Sequence, residues 1–288
     1  MALWRVIDII QESEKWLAER GVPDSRLDTE YLLAEVLRLD RVGLYLAFDR
    51  PITESELVDF RALLKRRGKR EPLQHVLGYT EFMGHRILTS SAALIPRPET
   101  EILVEQALVM LKNIAEPRVI DIGTGTGCIA IGIALENPKV KILALEISGH
   151  ALELARENIA AHALADKIIL SQFDILKTLP RLQERVDLVV SNPPYINYSE
   201  LSGMQKEVAE FEPHQALFDS DDGLVFYRRY AEILPRLLNP GGRFLFEFGG
   251  EHQAKAILNI FMTAGLTELE ITNDYAGHPR LIRGRYTS

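Results

Sequence analysis

The sequence predicts an α/β domain built on a mostly parallel sheet, preceded by a small bundle of helices. Apolar residues recur at helical spacing through roughly the first 70 positions. From about residue 97 onward, short apolar runs alternate with helical segments, which is typical of a sheet covered by helices on both faces. The length of 288 residues suits one large domain and a smaller one.

The N-terminal region, residues 1–72, is predicted to fold as a helical bundle. Two apolar stripes have helical periodicity; they consist of Leu3, Val6, Ile7, Ile10 and Leu17, and of Leu27, Tyr31, Leu33 and Leu37. Thr53 and Glu56 have the spacing of a capping box, which indicates the start of a further helix. Residues 73–95 mix apolar residues with turn residues and are expected to form a hairpin linker. Residues 96–288 then form the main domain.

Strands and helices alternate in the main domain. Short aliphatic runs predict five strands, which centre on residues 119–120, 142–145, 168–170, 186–190 and 242–246. Helical patterns cover residues 101–112, a segment after Gly127, residues 148–162 and residues 227–237. This order predicts parallel strands joined by crossover helices.

Composition and charge restrict the classes of function. The formal net charge of −8 disfavours nucleic acid as a partner, since gripping a phosphate backbone usually needs a basic surface. The run Lys65–Arg70 leaves two interpretations open: a solvated helix end, or contact with a polyanion or an acidic partner. No apolar run approaches the ~18 residues of a membrane span, and we find no targeting peptide, so the cytosol is expected. The single cysteine, Cys128, excludes an internal disulfide and a cysteine zinc cluster, and no metal site is expected.

A glycine-rich turn follows the first strand of the main domain. It reads Asp121-Ile122-Gly123-Thr124-Gly125-Thr126-Gly127, and glycines in such a turn let the backbone approach a ligand closely. Cys128 stands where the dinucleotide fingerprint has its third glycine, and a carboxylate at Asp121 suits a cationic amino-acid group better than a pyrophosphate. We therefore expect a nucleoside site. Its binding residues would be Asp121, Gly123, Thr124, Gly125, Thr126 and Gly127.

Acidic residues follow the next two strands. Glu146 ends the second strand, where a carboxylate can accept hydrogen bonds from both hydroxyls of a ribose. Asp174 follows the third strand and is expected to accept from an adenine amino group, with Phe173 or Ile175 packing on the ring. An exposed carboxylate without a ligand is the alternative for each.

The turn Asn192-Pro193-Pro194-Tyr195 follows the fourth strand, at the sheet edge where open α/β sheets bind ligands. The Asn192 side-chain oxygen and the Pro193 carbonyl can both accept from one planar NH₂ group, and so align a weakly nucleophilic nitrogen. The prolines stiffen the turn, and the Tyr195 ring offers a flat face to a planar substrate group. Asn192 is also expected to contact the cofactor.

These two motifs resemble those of the class I methyltransferases that use S-adenosylmethionine to modify amide or exocyclic amino nitrogens. Within that group the chain resembles the bacterial release factor glutamine methyltransferases, also called the HemK or PrmC family. Further similar segments are Gly78–Gly84, Ile95–Glu101 and Phe211–Pro213. Two positions depart mildly from the family: Glu146, where many members have Asp, and Ile175, where some have an aromatic ring.

The resemblance implies a Rossmann-like, seven-stranded sheet and a defined reaction. S-adenosylmethionine would be the cofactor, and Gly123, Gly125, Gly127, Glu146 and Asp174 would contact it. Residues 192–195 would bind the glutamine of a Gly-Gly-Gln motif in peptide chain release factors, and its N5 nitrogen would be methylated. The helical bundle would recognise the substrate protein.

Three other functions remain open from the residues themselves. A DNA adenine also presents a planar NH₂, although a DNA enzyme must flip its base and usually carries a basic recognition domain. An RNA methyltransferase could use Lys65–Arg70 to bind RNA. A protein that only senses S-adenosylmethionine would have no use for the Asn192–Tyr195 turn. The segment 196–222 is longer than ordinary loops, and we expect it to act partly as a lid that becomes ordered when substrate binds.

Overall fold

The computed structural model describes residues 4–219 and 221–287, and the chain forms two compact units. The first contains the residues up to Tyr79 together with a later segment, Gln205–Phe211. The second contains Thr80–Met204 and the chain from Glu212 onward. The first unit thus ends inside the stretch expected to be a linker, and the later segment that joins it carries no signal in the sequence.

The first unit is a bundle of helices. Five of them are consecutive in the chain: α1 (Val6–Ala18), α2 (Ser25–Leu37), α3 (Arg41–Leu46), α4 (Glu54–Arg67) and α5 (Leu73–Leu77). Their shared core is formed by Val6, Ile9, Ile10, Leu32, Leu33, Leu44, Phe60 and Val76. The capping box predicted at the start of α4 is confirmed, because Thr53 and Glu56 each bond to the backbone amide of the other.

The basic run at the end of α4 is largely neutralised within the first unit. The Arg67 side chain is buried and donates to Asp28 at 2.6 Å and to Glu207 at 2.9 Å. Arg70 donates to both carboxylate oxygens of Glu207, and Arg66 pairs with Glu71. The three arginines of the run therefore serve the packing of the bundle, while Lys65 and Lys69 are exposed, and both interpretations of the run remain predictions.

The second unit is built on a seven-stranded sheet, preceded by a hairpin of β1 (Tyr79–Phe82) and β2 (His85–Leu88). The strands of the sheet are β3 (Arg118–Ile122), β4 (Lys141–Glu146), β5 (Ile168–Gln172), β6 (Val186–Ser191), β7 (Leu238–Glu247), β8 (Thr267–Asn273) and β9 (Pro279–Arg285). They lie in the order β5-β4-β3-β6-β7-β9-β8. Strands β3 to β7 pair in parallel, and β9 is antiparallel to both of its neighbours. The predicted fold class is confirmed.

Helices cover both faces of this sheet. They are α6 (Pro98–Leu111), α7 (Cys128–Glu136), α8 (Gly149–Ala161), α11 (Val225–Leu237) and α12 (Glu251–Thr263). Two short helices lie between α8 and α11 in the chain: α9 (Lys206–Phe211), which belongs to the first unit, and α10 (His214–Leu217). Helices α6 and α7 contribute to one apolar core, whereas α11 and α12 contribute to the other. Because the central strands are buried on both faces, they have continuous aliphatic sequences, and this is why they could be predicted.

Two features differ from the sequence-based expectation. The strands β8 and β9 were not predicted individually, because β8 is a partly exposed edge strand with charged residues at alternate positions. The segment after residue 196 was expected to be a long loop, but it contains a 3₁₀ helix (Tyr198–Gly203) and the short helices α9 and α10. In the part of the chain that the structure describes, every helix is too short or too polar to cross a bilayer.

Candidate active site

A cavity of about 300 Å³ lies in the second unit at the carboxyl ends of the central strands. The register aligns these ends, since Ile122 of β3 pairs with Leu145 of β4 and with Ser191 of β6. The cavity brings together most of the residues singled out in the sequence: Gly123, Thr124, Gly125, Thr126, Glu146, Asp174, Ile175, Asn192, Pro193 and Pro194. Asp121, Gly127 and Tyr195 are not part of its lining. Ligand sites of open α/β sheets lie at this edge.

The glycine-rich turn forms one wall of the cavity. The backbone amides of Gly123 and Thr124 donate to the Leu145 carbonyl at 2.8 and 3.0 Å, which ties the turn to β4. Gly125 has a φ of +55°, and a Cβ placed on it would come no nearer than 3.9 Å to another residue. The backbone is therefore exposed to the cavity at Gly125, in a conformation that favours glycine.

Asp121 lies behind this turn and is fully buried. One of its carboxylate oxygens accepts from the Thr124 hydroxyl at 2.6 Å, and the other lacks a well-formed hydrogen bond among the described residues. Burial raises the pKa of Asp121 to about 7, against the opposing effect of the Thr124 hydroxyl. In this structure Asp121 holds the turn from behind, and the direct contact with a ligand that the sequence suggested stays a prediction.

Glu146 is positioned by three backbone amides. One carboxylate oxygen accepts from Gly125 at 3.0 Å, and the other accepts from Ile147 at 2.8 Å and Ser148 at 3.0 Å. Each carboxylate oxygen has two lone pairs, so the oxygen that accepts from Gly125 alone keeps capacity for a further hydrogen bond. The side chain is thus preorganised at the cavity wall to accept from a hydroxyl such as that of a ribose.

Asp174 and Ile175 form the wall at the end of β5, together with Phe173. Partial burial opposes ionisation of Asp174, but the hydrogen bond and charge of Lys177, at 3.0 Å, outweigh it and lower the pKa of this carboxyl. Ile175 is buried, and its carbonyl accepts from Arg229 at 2.8 Å. A fixed apolar surface therefore lies beside an ionised hydrogen-bond acceptor, which suits a heteroaromatic ring with an amino group.

The Asn192-Pro193-Pro194 turn forms the opposite side of the cavity. The Asn192 side-chain amide donates to the Thr100 hydroxyl at 3.2 Å, so its carbonyl oxygen remains available as an acceptor. Tyr195 points elsewhere: its ring packs against the core on the α11 side of the sheet, and its hydroxyl donates to Glu247 at 3.3 Å. Burial, together with the nearby Glu247 charge, raises the pKa of Tyr195, so its hydroxyl remains a donor.

Sequence reasoning missed the residues that hold these walls in place. Asn158 of α8 bonds both to the backbone of Leu88 and, at 2.9 Å, to the Thr126 carbonyl of the glycine-rich turn. Gln253 of α12 donates to the Tyr195 carbonyl at 2.9 Å and accepts from Gly249. Both side chains are buried. The only sequence signal at these two positions is a polar residue within an amphipathic helix. That signal does not indicate which residue the side chain bonds to.

The chemistry of the cavity suits an elongated ligand with a nucleoside at one end. Glu146 can accept from a ribose, Asp174 and Ile175 suit an adenine, and the glycine-rich turn leaves backbone groups open to a polar tail. The described residues hold no group of three or more His, Cys, Asp or Glu side chains arranged to bind a metal ion. The cavity can therefore bind and orient a nucleoside-containing cofactor beside the Asn192 acceptor.

Comparison with known families divides the chain in a similar way. A family model described as the PrmC N-terminal domain matches residues 8–78, and a model described as the methyltransferase small domain matches residues 98–210. The first covers the helical bundle. The second covers the glycine-rich turn and the Asn192–Tyr195 turn.

Relatives of similar length extend over almost the whole chain. The sequence is 40% identical over 283 residues to the release factor glutamine methyltransferase of Geobacter sulfurreducens, which covers 98% of this chain and 97% of that protein. It is 38% identical to the protein of the same name from Cereibacter sphaeroides, over 98% of both chains.

Solved structures also resemble parts of this chain. A release factor-specific protein-(glutamine-N5) methyltransferase from Alicyclobacillus acidocaldarius is 31% identical and covers 67% of this chain and 95% of its own, with a TM-score of 0.42. The catalytic domain of hMettl16, solved with an RNA hairpin, is 15% identical with a TM-score of 0.57 and covers 83% of this chain and 86% of its own. At that identity the second likeness shows a shared fold alone.

Proposed function

The chain belongs to the release factor glutamine methyltransferase family, and we propose that it methylates the side-chain amide nitrogen, N5, of the glutamine in the Gly-Gly-Gln motif of peptide chain release factors. One observation carries the proposal from the structure. The Asn192 carbonyl oxygen and the prolines after it line the same cavity as the glycine-rich turn. A methyl donor and a planar amide can therefore be held side by side.

S-adenosylmethionine is the cofactor of this methyltransferase family, and it supplies an electrophilic methyl group on a sulfonium. The residues of the cavity fit it. We propose that Gly123, Thr124, Gly125 and Thr126 hold its amino-acid end, that Glu146 accepts from its ribose, and that Asp174, Ile175 and Asn192 complete the contacts. Asp121 and Gly127 would act from behind the wall by fixing the turn.

The substrate amide needs alignment more than it needs a base. Its nitrogen lone pair is delocalised into the carbonyl, so the nitrogen is weakly nucleophilic, and positive charge develops on it as the new bond forms. The Asn192 oxygen and the Pro193 backbone carbonyl accept the two amide hydrogens, which fixes the nitrogen and stabilises that charge. The excess proton then leaves the product nitrogen for water, and no strong general base is required.

Protein is favoured over nucleic acid as the substrate. The net charge is −8, and the three arginines of the Lys65–Arg70 run are engaged by Asp28, Glu71 and Glu207. Little positive charge is left there to bind a phosphate backbone. We propose that the helical unit recognises the release factor, and that the protein acts in the cytoplasm, where release factors meet the ribosome.

Labelled methyl transfer to separate substrate pools tests this function. The protein is incubated with methyl-labelled S-adenosylmethionine and with purified release factor, RNA or DNA. We expect label in the release factor alone, on the Gly-Gly-Gln glutamine by mass spectrometry, and none in a release factor whose glutamine is replaced by alanine. Label in RNA or DNA, with none in the release factor, would overturn the proposal.

A further inference from the structure

A chain of three buried hydrogen-bonding groups lies behind the Asn192 side chain. The Asn192 amide nitrogen donates to the Thr100 hydroxyl oxygen at 3.2 Å, and that hydroxyl donates to the Glu247 carboxylate at 2.7 Å. The second Glu247 oxygen accepts from the Tyr195 hydroxyl at 3.3 Å. Thr100 is in α6 and Glu247 ends β7. These hydrogen bonds therefore join the Asn192–Tyr195 turn to two elements of the second unit that are distant from it in the sequence.

The direction of each hydrogen bond follows from the chemistry of the groups. The Thr100 hydroxyl gives its single hydrogen to a Glu247 oxygen, which can accept in either protonation state of the carboxyl. The Thr100 oxygen can then only accept from Asn192, and of the two ends of the Asn192 amide only the NH₂ can donate to it. The carbonyl end of the amide is therefore left as the acceptor for a substrate.

Burying the Glu247 side chain costs free energy of folding, unless its hydrogen bonds have a role such as the positioning of Asn192. The side chain is 2% exposed, and no cation among the described residues forms an ion pair with it. Among the described residues, five titratable or charged groups lie near it: Glu99 on α6, Cys128 on α7, Tyr195 on the Asn192–Tyr195 turn, Tyr227 on α11 and Arg280 on β9. A buried carboxylate is retained at a net cost unless its hydrogen bonds serve the structure or the reaction.

We propose that Thr100 and Glu247 are positioning residues for methyl transfer, because together they fix the Asn192 amide with its oxygen toward the methyl acceptor. Neither residue would bond to the reacting nitrogen. The inference rests on the proposed function, since it assumes that the acceptor is a planar NH₂ group. It assigns a role to a threonine and a glutamate that lie 92 and 55 residues from Asn192 in the sequence.

Substitutions at Thr100 separate the hydroxyl from the shape of the side chain. Thr100→Val keeps the shape and removes the hydroxyl, so Asn192 loses its fixed orientation; we expect kcat to fall about tenfold to a hundredfold. Thr100→Ser keeps the hydroxyl and should stay close to the wild-type kcat. The affinity for S-adenosylmethionine, measured by calorimetry, should be similar in all three proteins. A wild-type kcat in Thr100→Val, or equal loss in the Ser and Val variants, would overturn the proposal.

Substitutions at Glu247 test the carboxylate itself. Glu247→Gln can still accept from Thr100 through its amide oxygen, whereas Glu247→Met has a similar size and cannot. We expect Gln to retain most of the turnover and Met to lose as much as Thr100→Val. Equal turnover in Gln and Met would contradict the role.

A measurement without substrate separates this inference from the proposed function. The side-chain amide of Asn192 gives a pair of ¹⁵N-correlated proton resonances, which the Asn192→Ala variant identifies by their loss. We expect one proton of the pair to be protected from solvent exchange in the wild type and in Thr100→Ser, but not in Thr100→Val. If release factor is not methylated, the proposed function is wrong, but the exchange measurement still tests the positioning of Asn192. Equal protection in Thr100→Val would refute the positioning role of Thr100 and would leave the proposed function untouched.

Discussion

Asn192 is the residue on which the reaction depends most directly. Its amide is held at the nitrogen end by Thr100, and its oxygen faces the cavity that the glycine-rich turn also lines. A preorganised acceptor of this kind stabilises charge as it develops, without any reorganisation during the reaction. The effect of removing it should therefore appear in turnover more than in cofactor binding.

We predict that Asn192→Ala lowers kcat by about 10²–10³, as is typical when one preorganised polar contact is lost. The affinity for S-adenosylmethionine should change much less, because the residue faces the methyl acceptor. Single-turnover assays with purified release factor measure the first effect, and calorimetry measures the second. Asn259→Ala, at an exposed position on α12, is the matched control and should behave like the wild type. Near-normal turnover in Asn192→Ala would remove the basis for the proposed role of the turn.

Gly125 gives a second test at the residue scale. Its φ of +55° and the open space beyond it allow the backbone to approach a ligand. Gly125→Val should weaken S-adenosylmethionine binding by at least about tenfold, or 1.4 kcal/mol, because the β-branched side chain would occupy the cavity. Gly265→Val is the control, since Gly265 has a φ of +77° and open space but lies far from the site. Equal affinities of the two folded variants for S-adenosylmethionine, measured by calorimetry, would contradict a close approach of the Gly125 backbone to the ligand.

At the scale of elements, the segment Gln205–Phe211 is held in the helical unit by buried charge. Glu207 accepts from both Arg67 and Arg70. Although burial opposes its ionisation, hydrogen bonds from these arginines bring the pKa of Glu207 down to about 2. The segment between the substrate turn and α10 is thus attached at its middle to the helices that precede the hairpin.

We expect Glu207→Gln to destabilise the protein by about 3 kcal/mol, because Arg70 loses its carboxylate partner and the buried Arg67 keeps only Asp28. Urea denaturation measures this change, and limited proteolysis should show faster cleavage near residues 205–211. Glu210→Gln is the control, because Glu210 is exposed and pairs with Lys206 at 3.6 Å; it should have almost no effect. Equal stabilities of the two variants would show that the buried cluster does not hold the segment.

The short helices after residue 196 remain a candidate lid. They are ordered in this structure, and Asp219 secures the end of the segment by accepting from the amides of Gly223 and Val225. We predict that hydrogen exchange in residues 196–217 slows when release factor is added together with S-adenosylmethionine. S-adenosylmethionine alone is the control. Exchange rates that do not respond to release factor would count against a lid.

At the scale of the whole molecule, the sequence predicted the features that depend on residues close together in the chain. Glycine spacing and the Asn192–Tyr195 run identified both sides of the cavity, and continuous aliphatic runs identified the central strands. Thr100, Asn158 and Gln253 escaped prediction, because their roles arise from partners that are 32 to 147 residues away in the chain. The arginines of the basic run looked solvent-directed for the same reason, since Glu207 lies 140 residues from Arg67. Tyr195 was expected to face the substrate; in this structure its half-buried ring packs against the core, and its contact with a substrate stays a prediction.

The two buried carboxylates behind the cavity predict how stability depends on pH. Burial raises the pKa of Asp121 and that of Glu247 to about 7, whereas in an unfolded chain both groups ionise near about pH 4. Below about pH 4 both states are protonated and the groups have no net effect. Between about pH 4 and 7 the unfolded state binds fewer protons than the folded state, so stability falls as pH rises. Above about pH 7 both carboxyls are ionised in both states, and the full free-energy cost of burying their charges remains.

We therefore predict that a double variant, Asp121→Asn with Glu247→Gln, is more stable than the wild type at about pH 7.5 and has a flatter profile between about pH 5 and 7.5. Both replacements keep the size of the side chain, and their amide oxygens can still accept from Thr124 and Thr100. Carboxyls with lowered pKa values, such as Glu207, lose their contribution only at lower pH and do not obscure this window. Urea denaturation across the pH range measures the effect, and parallel profiles would mean that these carboxyls do not hold their protons in the folded state.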